Sequence, residues 1–276
     1  MQKTDFFSKE IKPGVFLISS HEWEESTSTV NCWLIVGKEK AMLVDAGLPC
    51  LGLRQYVEQI AGKPIVLVLT HGHFDHAGGL ESFEEFWINP EEEKYLCGEE
   101  GLPETRYSAK RHSLFPGECV DLGNRMIQVY GIQGHTKGSI VLLDPVSKIL
   151  FSGDSVARRG LFLDTKELPM SKYFSDLLCI EKLDFEGIAS AHDRFLLPKT
   201  EIKYFISAVI SNINKEGKIW KMPTGKEFFS IHAGTTVEDS YYISCSVPYK
   251  QLEITRQDIF EWCERNPWFK EETYAL

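Results

Sequence analysis

The chain has 276 residues, of which 43% are hydrophobic and 25% charged, a composition typical of folded globular proteins. Forty acidic and 30 basic side chains give a formal net charge of −10, which disfavours nucleic acid as a partner because phosphates would be repelled. No segment approaches the roughly 18 consecutive apolar residues of a membrane helix, and the charged start does not resemble a signal peptide. Seven scattered cysteines with no Cys-x-x-Cys pair fit a reducing compartment. We therefore expect a cytoplasmic protein that binds neither membrane nor nucleic acid.

Short apolar runs recur through the first two thirds of the chain, and each has the length of a β-strand. They lie at residues 14–20, 30–36, 41–46, 65–69, 126–132, 139–144 and 149–154. Helical periodicity lies between and after them, at residues 51–60, 173–179 and 202–213, and the last of these has Thr200 as its expected N-cap. Interleaved strands and helices predict an α/β protein in which helices cover sheet.

The segment at residues 89–117 lacks this pattern. It is polar, highly charged and interrupted by proline and glycine, so we expect a short helix followed by a long surface loop. Such a loop could form a rim or lid over a functional site. The side chains that it would contribute are Tyr107, Lys110, Arg111 and His112.

Five of the eight histidines fall in three short segments, each of which follows a strand-like run. Strand ends hold side chains rigidly and open into loops, so groups placed there can converge at one edge of a sheet. Five imidazoles and two carboxylates without a thiolate suit Zn, Fe, Mn or Co, and seven ligands suit two ions that share a carboxylate. The candidate metal ligands are His71, His73, Asp75, His76, His135, Asp154 and His192.

The motifs themselves resemble those of a known family. H-x-H-x-D-H at 71–76 is followed by G-H-T at 134–136, S-G-D at 152–154 and A-H at 191–192. Together they resemble the metallo-β-lactamase-fold hydrolase superfamily over about residues 14–200. The resemblance implies a four-layer αββα sandwich with a dinuclear metal site at the edge of its two sheets.

The resemblance also assigns the ligands. One ion would be bound by His71, His73 and His135, the other by Asp75, His76 and His192, and Asp154 would bridge the two. An aspartate at the bridging position makes the sequence more similar to the glyoxalase-II-type members. In the true β-lactamases a carboxylate bridge is generally absent.

Four further residues have expected roles. Asp45, in LVDAG, matches a family position at which a carboxylate orients a ligand imidazole, although a turn aspartate before a glycine is the alternative. Asp75 is the expected catalytic residue, because it would orient the attacking hydroxide or carry its proton as well as bind metal. Arg158 and Arg159 are weak candidates for binding an anionic substrate, and a solvated surface pair is the alternative.

These residues predict a metal-dependent hydrolase whose two divalent ions, zinc foremost with iron or manganese as alternatives, activate a bridging hydroxide. The predicted substrate is a small ester, thioester or lactone. Two other functions stay open: a mononuclear iron oxidoreductase resembling the persulfide dioxygenases, and a small-molecule phosphodiesterase. We treat residues 1–276 as a single domain. Its C-terminal extension, from about 215 to 276, would complete the sandwich, cap the site or form a homodimer contact.

Overall fold

The structure is a computed structural model that describes residues 6–20, 30–98, 104–158, 161–163, 168–222, 225–234 and 243–271. Its first sheet has seven strands in chain order: β1 (Phe7–Lys12), β2 (Val15–Ser19), β3 (Asn31–Val36), β4 (Ala41–Val44), β5 (Ile65–Val68), β6 (Glu85–Ile88) and β7 (Lys110–Ser113). Strands β1 to β4 pair in antiparallel fashion, and β4 to β7 are parallel. Short turns join the antiparallel pairs β1–β2 and β3–β4, whereas the parallel half needs longer crossovers that contain the helices described next.

One face of the first sheet is covered by helices α1 (Leu53–Ala61), α2 (Phe74–Ala77) and α3 (Glu93–Leu96). Helix α1 is amphipathic, and its Leu53 and Val57 pack with Leu43 and Leu67 of the sheet. Gly62 ends α1 in the left-handed conformation, with φ of 61°, which glycine adopts without strain.

The second sheet has six strands in the order β14–β13–β11–β10–β9–β8. They are β8 (Cys119–Asp121), β9 (Met126–Gly131), β10 (Ile140–Asp144), β11 (Ile149–Gly153), β13 (Gly187–Ser190) and β14 (Leu197–Pro198). Helices α4 (Met170–Glu181) and α5 (Glu201–Asn212) cover its outer face, where Phe174 and Phe205 share a cluster with Val141 of β10. Because strand side chains alternate between faces, Leu142 of β10 points instead toward the first sheet.

The two sheets pack face to face through a cluster of large apolar side chains. Trp33 of β3 and Phe151 of β11 meet edge to face across it, with ring centroids 5.9 Å apart. The order helix, sheet, sheet, helix is the four-layer αββα sandwich that the motifs imply, so the predicted fold class is confirmed.

A third sheet follows the sandwich. It has the order β12–β17–β16–β15, with β12 (Leu161–Phe162), β15 (Lys218–Lys221), β16 (Glu227–Ala233) and β17 (Ile243–Pro248). Helices α6 (Leu252–Arg265) and α7 (Trp268–Glu271) complete this part. Trp262 of α6 packs edge to face on Phe174 of α4 at 5.2 Å, and Phe229 of β16 belongs to the same cluster. The C-terminal segment thus shares its apolar core with the outer helices of the sandwich.

One local prediction is confirmed in position, and another needs correction. Thr200 does occupy the N-cap position of α5, but its backbone is already helical and its side chain makes no capping hydrogen bond. Residues 89–117 are not simply a surface loop: Glu92, Tyr95 and Leu96 are buried, and residues 110–113 form strand β7. Within the described residues, every helix is too short or too polar to span a membrane.

Candidate metal centre

The candidate ligands come together at one edge of the two inner sheets. The segment after β5 supplies His71 and His73, and α2, which begins directly afterwards, supplies Asp75 and His76. From the second sheet, His135 follows β9, Asp154 follows β11 and His192 follows β13. The three groups that lie close enough to hold an ion are His71–His73–His135, His71–His76–Asp154 and Asp75–His76–His192, each with its ligand atoms within 4.8 Å of one another.

A close contact between the two sheets sets this edge. The amide of Ile140 donates to the carbonyl of Thr70 at 3.0 Å, which joins the ends of β10 and β5. Gly153 has φ of +51°, and a Cβ atom there would lie 2.3 Å from Oγ1 of Thr70. Only glycine therefore lets β11 end so near Thr70 and carry Asp154 to the histidines.

Three imidazoles form the first ligand set. Nε2 of His135 lies 3.1 Å from Nε2 of His71 and 3.0 Å from Nδ1 of His73. Burial, together with the neighbouring imidazoles, lowers the pKa of both His71 and His73 well below the ordinary value, so both rings are neutral at pH 7. A tetrahedral zinc ion with bonds of about 2.0–2.1 Å places its ligands roughly 3.3 Å apart, close to these separations. The set therefore fits a single divalent ion.

Asp154 lies between the two ligand sets. Its Oδ1 is 3.1 Å from Nε2 of His76, and its Oδ2 is 3.0 Å from Nε2 of His192 and 3.6 Å from Nε2 of His135. Oδ2 of Asp75 is 3.8 Å from Nε2 of His76 and 4.0 Å from Nε2 of His192. One carboxylate thus reaches ligands of both sets, as a bridging ligand must.

The histidines of the second ligand set have raised pKa values, in contrast to the lowered values of His71 and His73 in the first set. Burial lowers the pKa of His192, but Asp154 outweighs it, and the resulting pKa is about 9. For His76 the same opposition between burial and the carboxylates of Asp154, Asp75 and Asp45 leaves the pKa well above its ordinary value. Burial raises the pKa of Asp154, yet His192 and His76 together hold it well below its usual range. Without a metal, these imidazoles therefore carry protons at pH 7.

Two buried atoms at this edge have no well-aligned hydrogen bond: Nε2 of His76 and Oδ1 of Asp154. Buried polar atoms in proteins are nearly always paired, and these two face each other at 3.1 Å. A nitrogen and an oxygen held in this way, beside a further imidazole and carboxylate, fit a divalent cation as their common partner.

Asp45 supports this arrangement from behind. Its Oδ2 lies 2.9 Å from Nδ1 of His76, and its Oδ1 accepts the amide of Thr70 at 2.7 Å. The hydroxyl of Thr70 donates to the same carboxylate at 2.9 Å and lies 3.1 Å from Nδ1 of His71. Accepting the Nδ1–H of His76 leaves its Nε2 lone pair directed at the ligand set. The structure thus brings Asp45 into contact with the imidazole of a candidate ligand, and its backbone has φ of 62°.

The substrate-binding candidates are placed differently. The guanidinium of Arg158 is largely buried, pairs with Glu201 at 2.7 Å and lies over the ring of Phe195, so it is held inside the fold. Arg159 lies outside the described residues. The four rim candidates of residues 89–117 contact the first sheet and its neighbours: Tyr107 packs on Phe86, Arg111 pairs with Glu93, His112 stacks on Trp87 and Lys110 pairs with Glu85 in β-sheet register.

Two residues near the ligands were not predicted from the sequence. The ring of Tyr95 meets His73 edge to face at 5.0 Å. Glu92 is fully buried, and burial raises its pKa to about 7 against the opposing effect of hydrogen bonds from Gly72, Thr136 and Gly138. Both residues lie in the charged segment for which the sequence predicts a surface loop. The one sequence signal for burial there is the run EEEKYL, in which two large apolar residues follow the charged ones.

Comparisons with known proteins agree with the fold and the motifs. A family model described as "Metallo-beta-lactamase superfamily" matches residues 27–192, more than half of the chain. The chain is 31% identical over 183 residues to "Acyl-coenzyme A thioesterase MBLAC2" of Gallus gallus, covering 55% of this chain and 66% of that protein, just under two thirds of its length. It is 31% identical over 147 residues to "Hydroxyacylglutathione hydrolase GloC" of Haemophilus influenzae, covering 48% and 68%.

Among solved structures, "Metallo-beta-lactamase from Pontibacter korlensis" superposes with a TM-score of 0.57 at 18% identity, covering 72% of this chain and 95% of that one. At this identity the likeness concerns the fold. The sandwich, the order of the ligand motifs and the family match lead to one conclusion: the chain belongs to the metallo-beta-lactamase superfamily.

Proposed function

We propose that the chain is a metal-dependent hydrolase of small acyl compounds, with thioesters foremost and esters and lactones as the other substrate classes. One observation carries the proposal: two complete ligand sets converge on the carboxylate of Asp154. The thioesterase and hydroxyacylglutathione hydrolase names of two relatives support the choice of substrate class.

The residues that would hold two ions, most suitably zinc, are His71, His73 and His135 for one and Asp75, His76 and His192 for the other, with Asp154 shared. Divalent ions at such a site supply a nucleophile from water near neutral pH and polarise a substrate carbonyl. The histidines contribute neutral nitrogen ligands. Asp45 fixes the tautomer of His76, as its 2.9 Å contact requires.

Asp75 is the proposed catalytic residue. Its side chain is about one fifth exposed, whereas Asp154 and His76 are almost fully buried, so Asp75 is the carboxylate that solvent and substrate can reach. Its Oδ2 lies within 4.0 Å of His76 and His192. From this position it can accept a hydrogen bond from the attacking water, orient it and hold its proton.

The second ligand set also bears on the iron-oxidoreductase alternative. That function needs only the equivalents of His71, His135 and Asp154, with open positions for oxygen. Here Asp75, His76 and His192 add another group with its ligand atoms within 4.8 Å. Three further candidate ligands that lie this close together favour a second metal ion, and therefore a dinuclear hydrolytic site. The net charge of −10 disfavours polymeric nucleic acid as a substrate and leaves the small-molecule phosphodiesterase alternative open.

The test is a hydrolysis assay of the zinc-loaded protein with acyl-coenzyme A, acylglutathione, simple ester and lactone substrates. We expect thiol release from at least one thioester, detected with a chromogenic thiol reagent. Cys97, Cys119 and Cys179 are exposed free thiols that the reagent can reach, so each assay needs a substrate-free blank. Failure of the fully metal-loaded protein to hydrolyse any of the four classes would contradict the proposal.

A further inference from the structure

The buried carboxylate of Glu92 lies between two loops that carry candidate ligands. Its Oε2 accepts the amide of Gly72 at 2.8 Å, and its Oε1 accepts the amide of Gly138 at 2.7 Å. Gly72 stands between His71 and His73, and Gly138 lies three residues after His135. One side chain therefore connects the two segments that supply all three imidazoles of the first ligand set.

The packing around Glu92 is tight on both sides. A Cβ atom on Gly72 would lie 2.5 Å from the carbonyl oxygen of Glu92, and one on Gly138 would lie 2.7 Å from its Oε1. Atoms do not approach so closely, so each loop can reach Glu92 only because a glycine stands at the contact. The lack of space for a Cβ atom and the two hydrogen bonds are separate observations, and both show that Glu92 contacts the two loops directly.

Glu92 is buried, whereas its two neighbours in the sequence are exposed. Glu91 and Glu93 are exposed and pair with Lys137 and Arg111 at 2.7 and 2.6 Å. Glu92 instead ends the short helical turn Pro90–Glu92 with its side chain wholly inside the protein. A carboxylate removed from water at considerable cost needs strong partners, and the two loop amides provide them together with the side chain of Thr136.

We infer that Glu92 is a positioning residue that holds the loop of His71 and His73 against the loop of His135, and so sets the spacing of the first ligand set. The inference rests on the proposed metal site. Asp75, His76 and His192 are positioned by other contacts, among them the bond between His76 and Asp45. Loss of the Glu92 carboxylate should therefore weaken one ion and leave the other.

Glu92→Gln disrupts the connection between the two loops with little change in side-chain volume. The amide oxygen of glutamine accepts only one of the two backbone N–H groups, and its NH₂ group meets the other, donor against donor. Removing such a supporting partner typically weakens metal affinity about 10- to 100-fold. Glu91→Gln is the matched control, because it removes a carboxylate next in sequence that pairs with Lys137 of the same His135 loop, but on the surface.

The experiment is a zinc titration of wild type, Glu92→Gln and Glu91→Gln against a chromophoric chelator, repeated with Co(II) to record its absorption spectrum. We expect Glu92→Gln to bind one ion about 10- to 100-fold more weakly, with an altered Co(II) spectrum, and the second ion as in wild type. Glu91→Gln should match wild type for both ions. Wild-type affinities and an unchanged spectrum in Glu92→Gln would overturn the inference, even if its melting temperature falls.

A second measurement needs no variant. In metal-free wild type labelled with ¹⁵N-glycine, the amides of Gly72 and Gly138 should be protected from hydrogen exchange. Exchange of both at the rate of an unstructured peptide would refute the inference. If wild type binds two ions but hydrolyses no acyl substrate, the proposed function fails while the selective effect of Glu92→Gln still stands. A wild type that binds no metal contradicts both.

Discussion

Replacement of Asp45 by asparagine tests how the fold prepares a histidine for metal binding. The side chain is buried and its carboxylate contacts three groups: Nδ1 of His76 at 2.9 Å, the amide of Thr70 at 2.7 Å and the hydroxyl of Thr70 at 2.9 Å. Asparagine has the same shape and tolerates the φ of 62° found here. The backbone should therefore keep its conformation, and the only change is the replacement of one carboxylate oxygen by an NH₂ group.

The consequence follows from donor and acceptor counts. Asparagine has one oxygen, which must serve the amide of Thr70, so its NH₂ group faces Nδ1 of His76. The imidazole can accept that bond only by moving its own proton to Nε2, the atom that faces Asp154 at 3.1 Å. A protonated Nε2 is not a metal ligand. Loss of this orientation typically weakens metal binding about 10- to 100-fold, which corresponds to about 1.4–2.8 kcal/mol.

This value agrees with a separate consideration of the hydrogen bond itself. A bond to a charged group contributes about 1.5–3 kcal/mol, and the substitution removes one such bond between His76 and Asp45. The assay is chelator competition for zinc, with circular dichroism as the check on folding. Asp144→Asn is the control, because Asp144 is equally buried and accepts hydrogen bonds from Val146 and Ser147, which do not contact the site. It should lower stability and leave zinc affinity unchanged. Wild-type zinc affinity in folded Asp45→Asn would refute the reasoning.

Three further predictions follow from the same structure. Asp75→Asn should fold normally and lose about 100-fold or more of thioester hydrolysis, because acid–base assistance typically contributes about 10²- to 10⁴-fold; wild-type turnover in a folded variant would contradict its assignment. The pKa of His192 is raised to about 9 in the metal-free fold, so its pairing with Asp154 stabilises that fold fully below the ordinary imidazole pKa and is lost as the pH rises through about 9. As His192 of this pair loses its charge between pH 7 and pH 10, the melting temperature of the metal-free protein should therefore decrease. The metal-loaded protein should not show that decrease, because its His192 is already neutral. Trp262→Ala should lower the free energy of unfolding by about 3–5 kcal/mol in a single transition, since Trp262 packs on Phe174 of α4; two separate transitions would contradict the single-domain proposal.

The parts of the fold that could be predicted from sequence are those in which apolar pattern and burial coincide. Strands β5 and β10 are apolar almost throughout because both of their faces are covered. Strands β1, β7 and β15 were not predicted, since sequences such as FSKEIK and KRHS are exposed along much of their length and carry little hydrophobic signal. Their strand conformation comes from pairing with a neighbour, which the local sequence does not record.

The candidate site was predictable for a related reason. Its ligands are histidines and aspartates clustered within a few residues of strand ends, so residue type and position alone indicate metal chemistry. Glu92 lies in a run of three glutamates, and only one of them is buried. Two of its partners are backbone amides 20 and 46 residues away, at Gly72 and Gly138, and an N–H group has no signature in a sequence. Such support becomes visible only when the loops are brought together.

The most direct test of the central claim is the metal content of the protein, measured by elemental mass spectrometry after purification without chelator or a metal-affinity column. The account predicts two divalent ions per chain, with zinc the most abundant, and His135→Ala should reduce the content to about one because the first set needs all three imidazoles. A single iron per chain would favour the oxidoreductase alternative. Protein that is folded yet binds no divalent ion, even when metal is added, would contradict the account.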